Sequence, residues 1–172
     1  MKRFPQITGI TLVADDPPNY VGIAEANDGS RVLSMWDLAD GGVANFELSE
    51  QGKVERQINI NREYDHHLRP WYTSPIAAGA DQWQEPYLTI NPVRLTISID
   101  QPFYDKNGAL AGVSDAELSL ASIGSFLNTL KIGETGQVFI VEDTGELIAT
   151  STGQLPYRLD ARTALPERLE AK

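Results

Sequence analysis

The stretch "RLTISIDQPFYDKNGALAGVSDAELSL", residues 94–120, carries a clear pattern of secondary structure. Two runs of alternating residues, 94–105 and 109–120, flank the turn sequence "KNG". Alternation with a period of two is typical of half-buried strands. The stretch therefore predicts two long strands, the second of which places Val113, Asp115 and Glu117 on one face.

Further strands are indicated before this hairpin. Between residues 7 and 60 the chain alternates short apolar, β-branched runs with turn sequences such as "NDG" at 27–29. This spacing is typical of consecutive antiparallel strands. We expect four or five strands, in 7–16, 20–26, 31–39 and 43–60, and a further short one at 87–90.

Two segments are predicted as helices. Residues 70–78 begin with a proline, which favours the first turn of a helix. Residues 120–133 carry an apolar stripe at helical spacing, made of Leu120, Ile123, Phe126, Leu127 and Leu130. The expected fold is α+β, with a PAS-like antiparallel sheet flanked by helices.

The last part of the chain is predicted as a hairpin and a tail. Residues 137–151, "QVFIVEDTGELIATS", form two apolar runs around "EDTG". This hairpin could open a second unit or pair with the first sheet. The tail, residues 159–172, is expected to be a frayed helix.

Composition limits the classes of function. Hydrophobic residues make up 41% of the 172 residues and charged residues 22%, as in an ordinary folded domain. The net charge of −10 argues against nucleic-acid binding, which needs clustered cations. The absence of cysteine excludes disulfides and thiolate metal sites. No recognised catalytic motif is found, so we expect no enzymatic activity, no cofactor and no metal.

The segment "REYDHHLRPWYTSPIAAG", residues 62–79, is rich in aromatic and cationic residues. The planar guanidinium of Arg69 is suited to binding a carboxylate. An ammonium group would be bound by Asp115 or Glu117 with tyrosine hydroxyls, and Trp71 would add a cation–π contact. Side chains of these kinds suit the two charged groups of a small zwitterion.

Simpler interpretations exist for the same residues. Arg69 could pair with Asp65 on the surface, Trp71 and Tyr72 could be core residues, and the carboxylate of Glu117 could face solvent. His66 and His67 are adjacent, so on a helix or strand their rings would point apart. We expect a solvated histidine pair that does not chelate one metal ion.

The segments "RPWY" (69–72), "QWQEPY" (82–87), 95–120 and "FLNTLKIGETGQVFIVEDTGELIATS" (126–151) together resemble the double Cache family. Its members are extracytoplasmic, tandem PAS-like sensor modules of bacterial histidine kinases, chemoreceptors and nucleotide cyclases. The resemblance covers roughly residues 7–152 and is closest to the subset that binds amino acids.

The resemblance implies a ligand site of seven residues. The pattern of the amino-acid-binding subset matches Tyr64, Arg69, Trp71, Tyr72 and Tyr87. Its final aspartate falls at Glu117 here, and Asp115, two residues earlier on the same face, is the other candidate for that carboxylate.

The resemblance also implies an organisation and a context. Residues 1–119 would be a membrane-distal ligand-binding lobe, 120–133 a linker helix, and 134–172 the opening hairpin and tail of an incomplete membrane-proximal lobe. The parent receptor would be membrane-anchored, with this part on the periplasmic or extracellular side. Another small ligand (an amine, a carboxylate or a purine), a ligand-free spacer and a homodimerisation module remain as alternatives.

Overall fold

A long antiparallel sheet organises the chain. The computed structural model describes residues 4, 6–15, 18–26, 28–39, 41–159 and 166–168. Among them, nine strands form one sheet in the order β5-β4-β3-β2-β1-β9-β8-β6, with β7 also paired to β8. The strands are β1 (Gly9–Asp15), β2 (Pro18–Glu25), β3 (Arg31–Asp37), β4 (Gly42–Leu48), β5 (Val54–Asn61), β6 (Gln82–Trp83), β7 (Tyr87–Leu88), β8 (Leu95–Tyr104) and β9 (Leu110–Ser119).

The predicted hairpin of 94–120 lies between β1 and the short strands β6 and β7. Strands β8 and β9 pair antiparallel over almost their full length, with Asp100 opposite Asp115 and Ser98 opposite Glu117. The far edge of β9 pairs with β1. The five strands expected before the hairpin are also confirmed, whereas β6 was not predicted.

Helix α1 spans Pro70–Ala78, as predicted. Pro70 occupies the first turn, where its missing N–H leaves no hydrogen bond unmade. The helix ends because Gly79 adopts a left-handed conformation with φ of 64°. Its buried Trp71 and Tyr72 pack on Val13 and Val113, so α1 is fixed to the sheet at β1 and β9.

Helix α2 spans Leu120–Asn128, so the prediction of a helix to residue 133 is wrong for 129–133. At its start, the Ser119 hydroxyl accepts a hydrogen bond of 3.0 Å from the Ser122 N–H. At its end, the Thr129 hydroxyl donates to the Phe126 carbonyl at 2.7 Å. This bond gives a carbonyl of the last turn a side-chain partner, in place of the backbone N–H that would bind it if the helix continued.

The predicted hairpin of 137–151 is present as β10 (Phe139–Val141) and β11 (Leu147–Thr150). It forms its own two-stranded sheet and does not pair with the large sheet. Ile148 and Ala149 of β11 bury themselves in one apolar cluster with Leu120, Leu127 and Leu95. The hairpin is therefore held to the large sheet through α2. The boundary expected between two lobes at 119–134 stays a prediction.

The tail was predicted as a helix, and this is wrong at 166–168. Strand β13 (Pro166–Arg168) pairs antiparallel with β12 (Tyr157–Leu159). Residues 160–165 and 169–172 lie outside the described residues. In the part of the chain that is described, no helix is long and apolar enough to cross a membrane.

The two faces of the large sheet differ in polarity. On the outer face of β1 to β3, five apolar side chains are 38–47% exposed: Ile10, Leu12, Val21, Ile23 and Met35. The inner face carries buried polar residues and the covering segment with α1. The candidate site lies on this inner face.

The apolar cluster under α2 gives a stability prediction. Leu120→Ala removes a side chain that is 1% exposed, so we expect the free energy of unfolding to fall by about 2–5 kcal/mol. Leu38→Ala, the same change at a residue that is 85% exposed, should change it by less than about 0.5 kcal/mol. Urea denaturation measures both. Equal effects of the two substitutions would contradict this packing.

Candidate functional site

A polar row crosses the inner face of the sheet. Because paired residues of antiparallel strands face the same side, one residue from each of six strands lies in line. The row runs Asn45, Ser34, Gly22, Thr11, Asp115, Asp100. The Ser34 hydroxyl donates to Asn45 Oδ1 at 2.6 Å, and Asn45 Nδ2 donates to Asn59 Oδ1 at 2.8 Å. All residues of this row except Asp100 form the floor of a cavity.

The cavity lies between the row and the segments 61–71 and 87–91. The space open to the centre of a water molecule is about 60 Å³. Six of the seven predicted ligand-binding residues line it: Tyr64, Arg69, Trp71, Tyr87, Asp115 and Glu117.

Arg69 presents an uncommitted cation to the cavity. Its Nη2 donates to the Leu88 carbonyl at 3.3 Å, and its Nε is buried without a hydrogen-bond partner. The alternative ion pair with Asp65 is not formed, because Asp65 Oδ1 accepts from the N–H and Nδ1 of His67 at 2.9 and 2.8 Å. The guanidinium is therefore anchored at one atom and lacks a carboxylate partner among the described residues.

Aromatic rings line the cavity beside Arg69. Tyr64 packs edge-on against Tyr20, with ring centroids 5.8 Å apart. Trp71 packs in the core and also lines the cavity, so its interpretation as a core residue does not exclude its place in the pocket. The Tyr87 hydroxyl donates to Ser98 Oγ at 3.3 Å. Burial raises the pKa of Tyr87, and the charges of Asp115 and Glu117 raise it further, so its hydroxyl stays a hydrogen-bond donor.

Tyr72 is the one predicted ligand-binding residue that does not line the cavity. It follows Trp71 directly on α1, and consecutive residues of a helix point in different directions. Its hydroxyl instead donates to the carboxylate of Asp15, and its ring packs with Val13 and Val113. A direct role of Tyr72 in ligand binding stays untested.

Glu117 already has an internal cationic partner. Arg94 Nη2 donates to its carboxylate, and both side chains are buried. Burial raises the pKa of Glu117, while the charge and hydrogen bond of Arg94 lower it in part. Gly9 lies opposite Glu117, and a Cβ there would fall 2.2 Å from Glu117 Oε2. Glycine is therefore needed at position 9, because any side chain there would occupy the space in which Glu117 and Arg94 meet.

Asp115 and Asp100 form a buried pair of carboxyl groups without a cation. Asp115 Oδ2 and both carboxyl oxygens of Asp100 have no hydrogen-bond donor. Burial raises the pKa of Asp115 well above its ordinary range, and the charges of Glu117 and Asp100 add to this. Burial also raises the pKa of Asp100. Both carboxyls therefore keep their protons to higher pH than an ordinary aspartate does.

Sequence reasoning missed the polar floor and Arg94. Thr11, Ser34 and Asn45 are polar, although the alternation of their strands predicts buried side chains at these positions. Polar residues at buried positions are unusual, so they could have indicated a polar site. Arg94 immediately precedes a buried strand and gave no local signal. Val43 and Asn45 of β4 also line the cavity.

The predicted geometry of the two histidines is wrong. His66 and His67 lie in a 3-10 turn that begins after Asp65, and their ring centroids are only 4.0 Å apart. His66 is 8% exposed, so it is not solvated. The rings converge because the carboxylate of Asp15 lies near both of them. The alternation rule for helices and strands does not describe a single turn with such a partner.

Comparison with known proteins places the site within a matched region. Residues 39–125, which include segment 62–79 and the β8–β9 hairpin, match the family described as methyl-accepting chemotaxis protein-like, first PDC sensor domain. The methyl-accepting chemotaxis protein PscA of Pseudomonas syringae pv. tomato is 30% identical over 117 residues, which are 64% of this chain and 18% of PscA. The chain spans a fifth or less of the curated relatives it matches.

Solved structures share the fold. One described as methyl-accepting chemotaxis protein X has a TM-score of 0.56 at 18% identity, over 86% of this chain and 52% of that chain. The ligand-binding domain of Pseudomonas fluorescens chemoreceptor CtaA, solved with L-serine, has a TM-score of 0.51 at 18% identity, over 86% of this chain and 49% of that chain. The predicted Cache-type sensor fold is confirmed.

The buried carboxyl pair predicts an unusual pH dependence of stability. An unfolded aspartate ionises near pH 4, whereas the folded pair keeps its proton to higher pH. The pair therefore makes the free energy of unfolding fall as pH rises from about 4 through the raised pKa, by about 1.4 kcal/mol per unit of pKa shift. Asp100→Asn removes one carboxyl, so its stability relative to wild type should increase over this interval.

Asp28→Asn is a matched control. Hydrogen bonds from the hydroxyl and N–H of Ser30 lower the pKa of the exposed Asp28, so its contribution to stability is lost only as pH falls below about 4. The stability of Asp28→Asn should therefore run parallel to that of wild type between pH 4 and pH 8. Denaturant unfolding between pH 4 and pH 8 compares the three proteins. Parallel pH profiles of Asp100→Asn and wild type would contradict a proton held by the pair.

Proposed function

Because this chain belongs to the family of methyl-accepting chemotaxis protein-like first PDC sensor domains, we propose that it is the extracytoplasmic sensor module of a bacterial membrane receptor and binds a small α-amino acid. One observation carries the proposal. The uncommitted guanidinium of Arg69 and the unpartnered carboxyl of Asp115 line the same aromatic cavity. A zwitterion supplies both missing partners.

Each charged end of an amino acid has a counterpart in the cavity. The ligand carboxylate binds Arg69, and charge-assisted hydrogen bonds of this kind contribute about 1.5–3 kcal/mol. The ligand ammonium binds Asp115, with the face of Trp71 adding about 0.5–2 kcal/mol. Micromolar affinity needs about 8 kcal/mol in total, so a few such contacts suffice.

Asp115, rather than Glu117, is the proposed acceptor of the ammonium group. Arg94 already compensates the charge of Glu117, whereas Asp115 Oδ2 has no partner. Glu117 also lines the cavity, but its carboxylate is held in the ion pair with Arg94. Asp115 and Glu117 were alternative candidates from the sequence, and they have different roles in this proposal.

The size of the cavity favours a small ligand. A cavity of about 60 Å³ matches an amino acid with a short side chain better than one with a long or aromatic side chain. The polar floor of Thr11, Ser34 and Asn45 favours a polar side chain over a branched apolar one. A ligand-free spacer fits less well, because such a role does not require buried polar groups without partners.

The proposed relay uses the strand that holds Asp115. Strand β9 runs directly into α2 through Ser119, the residue that caps the helix. A ligand that binds one arrangement of the covering segment and β9 more tightly shifts the population toward it. The family supports a methyl-accepting chemoreceptor as the parent protein, with the kinase and cyclase outputs as less favoured forms of the same proposal.

The proposed ligand contact at Arg69 can be tested by substitution. Calorimetry against the proteinogenic amino acids should find a small one that binds wild type. Arg69→Gln should weaken its Kd about 10- to 150-fold, since the lost bonds contribute about 1.5–3 kcal/mol. Arg56→Gln is the matched control, because Arg56 is exposed and pairs with Glu47 outside the cavity.

The same titrations separate the alternatives. An amine ligand would bind Arg69→Gln as tightly as wild type, and a simple carboxylate would bind Asp115→Asn as tightly as wild type. A ligand at 100 times its Kd stabilises the protein by about 2.7 kcal/mol, which thermal unfolding detects. If no amino acid binds or shifts the melting temperature, the amino-acid proposal is wrong.

Binding should also depend on pH. The raised pKa of Asp115, caused by burial and the nearby carboxylates, means that its proton must leave before the carboxylate can pair with an ammonium group. Affinity should therefore increase with pH, by at most tenfold per unit, until the raised pKa is passed. Asp115→Asn should bind weakly with a flat profile. A flat profile in wild type would contradict the assignment of Asp115.

A further inference from the structure

A second cluster of polar side chains lies outside the cavity, where the end of β1 meets the 3-10 turn. It consists of Asp15, His66 and His67, each of which offers one ligand atom, and these atoms all lie within 4.8 Å of one another. His67 Nε2 is 3.2 Å and His66 Nε2 is 3.7 Å from the same atom, Asp15 Oδ1. Two imidazoles therefore converge on one carboxylate oxygen.

His66 points an unsatisfied nitrogen into this cluster. Its side chain is 10% exposed, and its Nε2 is buried without a hydrogen-bond partner. The ring is held in place by Tyr72, edge-on at 4.9 Å, and by the ring of His67. A buried ring nitrogen without a partner is costly, so a ligand for it is expected at this place.

The other two residues are held by further hydrogen bonds. His67 Nδ1 lies 2.8 Å from Asp65 Oδ1, and the Tyr72 hydroxyl donates to Asp15 Oδ2. When the neutral ring of His67 donates from Nδ1 to Asp65, its Nε2 presents a lone pair to Asp15 Oδ1. Carboxylate partners of this kind orient metal-binding histidines in known metal sites.

We propose that Asp15, His66 and His67 bind a divalent first-row transition metal ion, with Zn²⁺ the best match. Zinc bonds of 2.0–2.2 Å in tetrahedral geometry place ligand atoms about 3.3 Å apart, close to the 3.2 and 3.7 Å observed. Imidazole nitrogens favour zinc, copper or nickel, whereas Mg²⁺ and Ca²⁺ prefer all-oxygen sites.

The site has three protein ligands and an open side. His67 and Asp15 are 53% and 37% exposed, so water completes the coordination. The metal ion joins the end of β1 to the turn that leads into Arg69, three residues after His66. It therefore fixes the start of the segment that covers the ligand cavity, without itself touching that cavity.

Zinc titration of the untagged chain tests the proposal, since His66 and His67 are the only histidines. Calorimetry should show one Zn²⁺ per chain, and bound Co²⁺ should give the absorption bands of a low-coordinate site. His67→Asn and Asp15→Asn should each weaken zinc binding at least tenfold. Asp65→Asn should weaken it about 10- to 100-fold, as loss of a partner of a metal-bound histidine does.

Asp28→Asn is the matched control for the aspartate substitutions and should bind zinc like wild type. Circular dichroism establishes that each variant is folded, and Mg²⁺ and Ca²⁺ serve as control ions. Three results would each overturn the proposal: no saturable zinc binding, equal zinc affinity in wild type and His67→Asn, or equal affinity for Zn²⁺ and Ca²⁺. In the first case the cluster is an ion pair of a protonated histidine with Asp15.

Discussion

The fixed register of β9 between β1 and β8 is the constraint on which the site depends. It sets Asp115 opposite both Thr11 and Asp100, and Glu117 opposite both Gly9 and Ser98. Since side chains alternate along a strand, a slip of one residue would turn both carboxylates to the outer face. Val113 prevents such a slip, because it is fully buried against α1 on the same face.

The carboxyl groups of Asp100, Asp115 and Glu117 lie on the buried inner face, and one of them is paired with a cation. Arg94 compensates Glu117, and Gly9 gives this ion pair the space to form. Asp100 and Asp115 are left with a raised pKa and no donor. Burying charge without a partner is unfavourable, so this face is electrostatically incomplete. Arg69 is a cation without a carboxylate on the other side of the same cavity, and a zwitterionic ligand completes both.

Segment 62–79 contributes side chains to two different sites. Arg69 and Trp71 face the cavity, whereas His66, His67 and Tyr72 converge on Asp15 at the end of β1. The division arises because the 3-10 turn and α1 meet at Arg69, and their side chains point to different sides. The cavity and the proposed metal site therefore share one short stretch of chain, although they share no ligand-binding atom.

The sequence by itself determined the elements whose pattern is local. The hairpin of β8 and β9, helix α1 with Pro70 at its start, and the shared face of Asp115 and Glu117 follow from periodicity and turn residues. The resemblance to a sensor family added the residues of the cavity, and all but Tyr72 line it. The partners of those residues depend on the tertiary structure. The pairing of Arg94 with Glu117, the opposition of Asp100 and Asp115, and the meeting of His66 with Asp15 join residues 15 to 51 positions apart in sequence. No local pattern encodes such contacts, because they depend on strand order and on which side chains burial leaves without another partner.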